Sequence, residues 1–252
     1  MKFKLKQEKM RDMLEKLSVQ NLFPMSIIKA SDDKITSIQR EKNGVGLREA
    51  IFKKDYFDEL EITEDEIIEL DIQKALNVIK KIPSNVDLTF KTKGDKVIIS
   101  GKRVHINLSY RDPKDDDIVE KMPYTLEDGI PSIKGVKLSA DVTMKLSELK
   151  DATDYGSSIG TDFYTFVASG SKLKIRVGDL HKFSDFVLFE TKAKVEGEAE
   201  SIYTVGLSQI ADTFLKDEFS IFFADEAPIL AFEEDENSYL GLLLPPQPKQ
   251  KQ

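Results

Sequence analysis

Apolar residues recur along this chain with a two-residue period, then a helical period, then a two-residue period again, four times over. Each cycle predicts a leading strand, a short amphipathic helix and a hairpin. The leading strands are Lys2–Gln7, Glu66–Asp71, Asp141–Leu146 and Ser201–Val205, and the hairpins are PMSIIKA/SDDK/ITSIQ, VDLTFKT/KGDK/VIISG, FYTFVA/SGSK/LKIRV and FSIFFA/DEAP/ILAFE. The four-residue segments between hairpin strands hold the Gly, Asp, Ser and Pro that tight reversals favour. Further strands are expected at Gly46–Phe52, Val104–Tyr110 and Phe183–Glu190, which makes each half of the chain a sheet with two helices packed on one side, an α+β fold.

The helices differ in their outer faces. In the second, between Asp71 and Lys81, Ile72, Ala75, Leu76 and Ile79 form the inner stripe and Lys74, Asn77 and Lys81 lie opposite. The fourth repeats that spacing with Leu207, Ile210, Ala211 and Phe214 inside and Gln209, Asp212 and Lys216 outside. The first buries Met10, Met13, Leu14 and Leu17, and its outer arc mixes Glu8, Asp12 and Glu15 with Lys9, Arg11 and Lys16. The third has Leu149, Ala152, Thr153 and Gly156 as inner positions and Lys150, Asp151 and Asp154 outside; it is expected to be short or frayed, because Thr and Gly bury little and favour helix poorly.

Periodicity fails between Asp112 and Lys137, a stretch with three prolines and a run of three aspartates, which is read as an irregular interdomain connector. The expected organisation is a first domain over 1–111, the connector over 112–137, a second domain over 138–246 and a disordered tail over 247–252, beginning after PP and continuing QPKQKQ.

Composition narrows the chemistry. The chain has 252 residues, enough for two domains with separate cores, and 33% of them are charged. It lacks cysteine, which excludes disulfides, thiolate metal sites and cysteine nucleophiles. The opening MKFKLKQEKMRDML is charged throughout, and no run approaches the ~18 apolar residues of a membrane span, so an intracellular, soluble protein without membrane contact is expected. A net charge of −8 argues against nucleic acid unless base is gathered on one surface, since phosphates are neutralised by local Lys and Arg.

No catalytic residue is assigned. His105 and His181 are the only histidines, neither beside a nucleophile or ligand pattern, and neither GxxxxGK[ST] nor HExxH occurs. No metal or other cofactor is expected; the alternative, a metal-dependent nuclease built on Asp115, Asp116 and Asp117, asks three successive loop residues to converge as ligands.

Three stretches give the pattern a family likeness: VTMKLSELKDATDYGSSIG at 142–160, EDGIPSIK at 127–134 and FSIFFADEAPILAFEEDENSYLGLLLPP at 219–246. With the four repeated units from Lys2 to Pro246, they resemble the proliferating cell nuclear antigen family of DNA sliding clamps. The resemblance implies a ring of three two-domain subunits, helices lining the hole and sheets outside, that encircles duplex DNA without sequence preference and tethers replication and repair enzymes, with no enzymatic activity. It implies a homotrimer, with a heteromeric or checkpoint-type ring as the alternative. DNA polymerase, a clamp loader and other DNA enzymes bearing short peptides are the implied partners. The implied location is with the DNA: a nucleus, an archaeal cytoplasm or a viral replication site.

Carried over position by position, the DNA-facing residues are Lys74, Asn77, Lys80 and Lys81, with Lys9, Arg11, Lys16, Lys150 and Lys216 contributing less. The partner-peptide pocket is Ile38, Leu126, Ile130, Pro131, Pro228, Leu243, Leu244 and Pro245. The third helix departs from the family in placing Asp151 and Asp154 where basic residues are usual.

Overall fold

A computed structural model describes residues 1–19, 23–31, 33–40, 46–178, 187–191, 194–203, 207, 211 and 216–246, with backbone only for 187–190. It divides into two compact units. The first comprises Met1–Glu41, Arg48–Lys121 and Glu234–Leu240, and the second comprises Lys42–Leu47, Met122–Glu233 and Gly241–Gln252.

The first unit holds β1 (Lys2–Lys6), α1 (Gln7–Ser18), β2 (Met25–Ser31), β3 (Lys34–Arg40), β4 (Leu47–Lys53), β5 (Glu59–Glu61), β6 (Glu66–Asp71), α2 (Ile72–Ile79), β7 (Asp87–Lys93), β8 (Lys96–Gly101) and β9 (Val104–Arg111). In the second, β10 (Tyr124–Glu127), β11 (Ile130–Ile133) and β12 (Val136–Lys137) precede β13 (Ala140–Lys145), α3 (Leu146–Ile159), β14 (Tyr164–Ser169), β15 (Lys172–Val177), β16 (Val187–Glu190), β17 (Lys194–Glu196), β18 (Ala199–Tyr203), β19 (Glu218–Phe223), β20 (Ile229–Glu234) and β21 (Ser238–Leu244), of which Ser238–Leu240 count with the first unit.

The repeats interleave. The leading strand of each repeat pairs antiparallel with the first hairpin strand of the other repeat in its unit: β1 with β7, β6 with β2, β13 with β19 and β18 with β14. The core follows from that exchange. Phe3 and Phe90 face each other across β1 and β7 and stack with centroids 4.5 Å apart, and Phe57 closes on Phe3 at 5.1 Å. In the second unit Phe166 meets Tyr203 and Phe223 at 5.7 and 5.9 Å. The hairpin strands run longer than the sequence suggests, so that pairing closes at Ser31 with Lys34, Lys93 with Lys96 and Ser169 with Lys172.

The α1 stripe is as expected, with Met10, Met13, Leu14 and Leu17 at most 1% exposed; such burial is worth ~1.5–3 kcal/mol per side chain. Asp71 caps α2 by accepting from the Lys74 backbone N–H at 3.0 Å. The fourth helix and the 247–252 tail lie largely or wholly outside the described residues; Leu207 and Ala211, which are described, are helical and buried.

Three expectations are corrected. The third helix is neither short nor frayed: α3 spans 14 residues and ends on Gly160 in the left-handed region. Its inner Gly156 makes room for a ring, since a Cβ there would lie 2.3 Å from the Tyr164 hydroxyl. The connector is not irregular either, because β10, β11 and β12 form a small antiparallel sheet. Two reversals with positive φ make it, Asp128–Gly129 (52° and 81°) and Lys134–Gly135 (51° and 81°), the backbone of two-residue hairpin loops. Third, Lys16 is not on the outer arc of α1. It is 3% exposed and its ammonium donates to the Ser238 hydroxyl at 3.3 Å, with Asp12 at 3.6 Å.

Candidate functional site

The outer faces of α1 and α2 form one polar surface in the first unit. The helices are joined beneath it by the Gln7 side chain, which donates to the Ile79 carbonyl at 2.7 Å. Glu15 joins them above it, 3.8 Å from Arg11 and 3.1 Å from Lys80. Lys9, Arg11, Lys74, Asn77, Lys80 and Lys81 are all exposed there. Lys74 also reaches Asp71 at 3.0 Å, and Lys9 bends back to the Tyr56 carbonyl at 3.4 Å, its ammonium 5.5 Å from the Tyr56 ring centroid. Lys81 makes no ion pair among the described residues.

Burial takes Lys16 out of this surface and turns it into a strut. Lys150 is exposed on α3, and Lys216 is half-buried beyond the described part of the fourth helix, its backbone N–H donating to Glu233 at 3.0 Å. The acids are partly compensated: Asp12 accepts from the Tyr56 hydroxyl at 2.7 Å, and Glu15 is shared between Arg11 and Lys80. What remains is a field of exposed cations, able to meet phosphates without reading bases.

Sequence reasoning missed Arg48, the largest fully buried side chain among the described residues. Its Nη2 donates to Ser37 Oγ at 2.7 Å and to Gln39 Oε1 at 2.6 Å, its Nη1 reaches the Lys16 carbonyl at 3.4 Å, and the guanidinium lies 5.2 Å from the Phe23 ring centroid. Burial pushes its pKa down to about 9. Arginine at an inward position of a strand that otherwise alternates is the one signal the sequence carried.

The pocket set is dispersed in exposure. Leu126 is 65% exposed and pairs with buried Pro131 across β10 and β11; Ile130 and Pro228 are half-buried and Pro245 is exposed. Leu243 and Leu244 are buried, packed so closely on Gly46 that a Cβ there would lie 2.8 Å from the Leu243 carbonyl oxygen. Ile38, in the first unit, is half-buried. Leu126 is therefore the largest apolar surface that the set presents.

Asp115, Asp116 and Asp117 form one exposed 3-10 turn, and no group of three or more acidic or histidine side chains among the described residues is arranged to hold a metal. His105 is exposed on β9, and His181 lies outside the described residues. No described helix is long and apolar enough to cross a membrane.

No family model matches the sequence, and no curated protein matches it. Solved structures do. A proliferating cell nuclear antigen (PCNA) of A. fulgidus, bound to the C-terminal region of FEN-1, superimposes with a TM-score of 0.80 over 99% of both chains at 17% identity. The PCNA of Entamoeba histolytica gives 0.80 over 98% of both at 15% identity. A PCNA2–PCNA3 complex of Sulfolobus tokodaii gives 0.73 over 98% of this chain and 99% of the other at 17% identity. The fold is that of the PCNAs, two-domain across almost its whole length and reached at identities too low for sequence to carry more.

Proposed function

We propose that this chain is a DNA sliding clamp, a non-enzymatic ring that encircles duplex DNA and tethers polymerase and other peptide-bearing enzymes to it. The carrying observation is a pair of open strand edges in a PCNA-like fold. β9 pairs with β8 along its length, but on its other side only Tyr110 and Arg111 meet β6, which leaves Val104–Ser109 open among the described residues. Among the described residues β16 ends its sheet and pairs with β15 alone.

The repeats make these edges complementary. By position in the repeat, β16 corresponds to β4 and β9 to β21, and in the first unit β4 already has the opening residues of β21 as its neighbour. The same pairing made between copies joins β9 of one to β16 of the next, a head-to-tail contact that closes into a ring. Three copies are the reading that the fold supports, self-assembled from one chain. The α1 and α2 cations then line the hole, and the connector sheet with Leu126 receives partner peptides, as the FEN-1 segment bound to the A. fulgidus protein suggests. The location follows the DNA in whichever compartment holds it.

Mass measurement in solution tests the assembly. The ring predicts a particle of three times the 28.6 kDa chain mass; a monomer at micromolar concentration would remove the self-closing ring.

A further inference from the structure

The interleaved repeats place α3 in the second unit where α1 sits in the first, each running from a leading strand into a hairpin. Aligned on their N-caps, Lys6 and Lys145, the buried positions coincide: Gln7 with Leu146, Met10 with Leu149, Met13 with Ala152, Leu14 with Thr153 and Leu17 with Gly156. The same register sets Asp12 against Asp151 and Glu15 against Asp154. Both helices thus carry two acids at matching outer positions, and the difference lies in what answers them.

In α1, Asp12 has Lys16 and the Tyr56 hydroxyl, and Glu15 has Arg11 and Lys80. In α3, Tyr155 stands at the position of Lys16, and Glu148 at that of exposed Lys9. Matching the stripe Ile72, Ala75, Leu76, Ile79 to Leu207, Ile210, Ala211, Phe214 puts Leu215 at the position of Lys80. Asp151 and Asp154 are exposed and make no ion pair among the described residues. Lys150, at Arg11's position, is the one cation within α3, and Lys216, which the same match sets at the position of Lys81, is half-buried.

We infer that the duplex is held by the first unit alone, and that the α3 face of the second unit repels the phosphate backbone. The inference rests on the clamp reading above, which brings both helix layers to the hole. A ring so lined alternates attraction and repulsion three times around the duplex. That lowers total affinity and eases sliding, because the backbone is never gripped on all sides.

Binding of a short fluorescent duplex, followed by anisotropy from about 50 to 200 mM salt, tests this on the intact protein with three paired variants. Asp151→Asn with Asp154→Asn should tighten binding several-fold without steepening the salt dependence. Asp151→Lys with Asp154→Lys should tighten it further and steepen the slope of log affinity against log salt by about 0.9 per phosphate gained. Lys74→Glu with Lys81→Glu should weaken binding. If both aspartate pairs bind as wild type while the lysine pair is weakened, α3 does not face the duplex and the inference is overturned. If the lysine pair also binds as wild type, the clamp reading fails with it.

Discussion

Arg48 Nη1 donates to the main-chain oxygen of Lys16 at 3.4 Å, so the last turn of α1 is closed from below by a side chain of β4. The other three terminal carbonyls are also taken. Glu15 accepts from the Val19 N–H at 3.0 Å, Leu17 from the Ser26 hydroxyl at 2.8 Å and Ser18 from the Phe23 N–H at 2.9 Å. A helix end with no orphan carbonyl is fixed to its sheet, and the guanidinium adds a cation at the negative pole of the helix dipole. Truncation by Arg48→Ala leaves Ser37, Gln39 and Lys16 short of a donor and opens a cavity, an expected loss of about 3 kcal/mol in urea unfolding. Arg48→Met fills most of the volume but leaves the same three acceptors short of a donor, so it should recover only the cavity part of that loss; equal losses in the two variants would assign the whole cost to the missing donors.

The cap of α2 gives a pH-dependent prediction. Partial burial pushes the Asp71 carboxyl up, but hydrogen bonds and charge from Lys74 outweigh it and hold the pKa below the ordinary value. A carboxylate depressed in the folded state contributes stability that is present above the unfolded pKa and lost as pH falls through the folded one. Asp71→Ala should therefore cost about 1 kcal/mol at neutral pH and less below pH ~3. Asp71→Asn should keep most of the cap, with a flatter acid limb in thermal melts at graded pH.

Half-buried Ile106 and Leu108 lie on the core-facing side of the open β9 edge, opposite Ile99 and Val97 of β8. Changing both to Asp places charge where a second copy would cover them and leaves the buried core of the first unit intact. The expected outcome is a monomer by light scattering with an unchanged circular dichroism spectrum. A full-mass assembly from that variant would move the subunit contact away from β9.

Leu126 offers the cleanest test of the partner surface, because at 65% exposed it contributes little to folding. Leu126→Ala should weaken a polymerase C-terminal peptide by about 1–3 kcal/mol in calorimetric titration, the usual loss at an apolar anchor. Thermal stability should stay within about 0.5 kcal/mol of wild type. Leu243→Ala, by contrast, should destabilise the fold, since that side chain is buried.

What was legible in the sequence was periodic. Ile72, Ala75, Leu76 and Ile79 announce α2 by spacing alone, and the leading strand Glu66–Asp71 falls on the residues expected. The missed features depend on contacts that spacing does not encode. Lys16 reads as an outer residue because its neighbours are polar, yet its stem runs under the helix to Ser238, more than 200 residues away. The connector sheet was signalled by Asp128–Gly129 and Lys134–Gly135, hairpin dipeptides that three prolines and an aspartate run concealed. The helix propensities of Thr153 and Gly156 argue for fraying, but packing of Tyr164 against the gap left by Gly156 overrides them. For the site, cations on α1 and α2 were legible, whereas their partial neutralisation by Glu15 and Asp71 required the fold.

Encirclement is tested most directly by topology. With a clamp loader and ATP, the protein is placed on a nicked circular plasmid, isolated by gel filtration, and followed after the circle is cut once. The account predicts retention on the circle at salt high enough to break phosphate contacts, and loss within minutes of linearisation, because a ring slides off an open end. Equal retention on circular and linear DNA, or release from both at that salt, would contradict it.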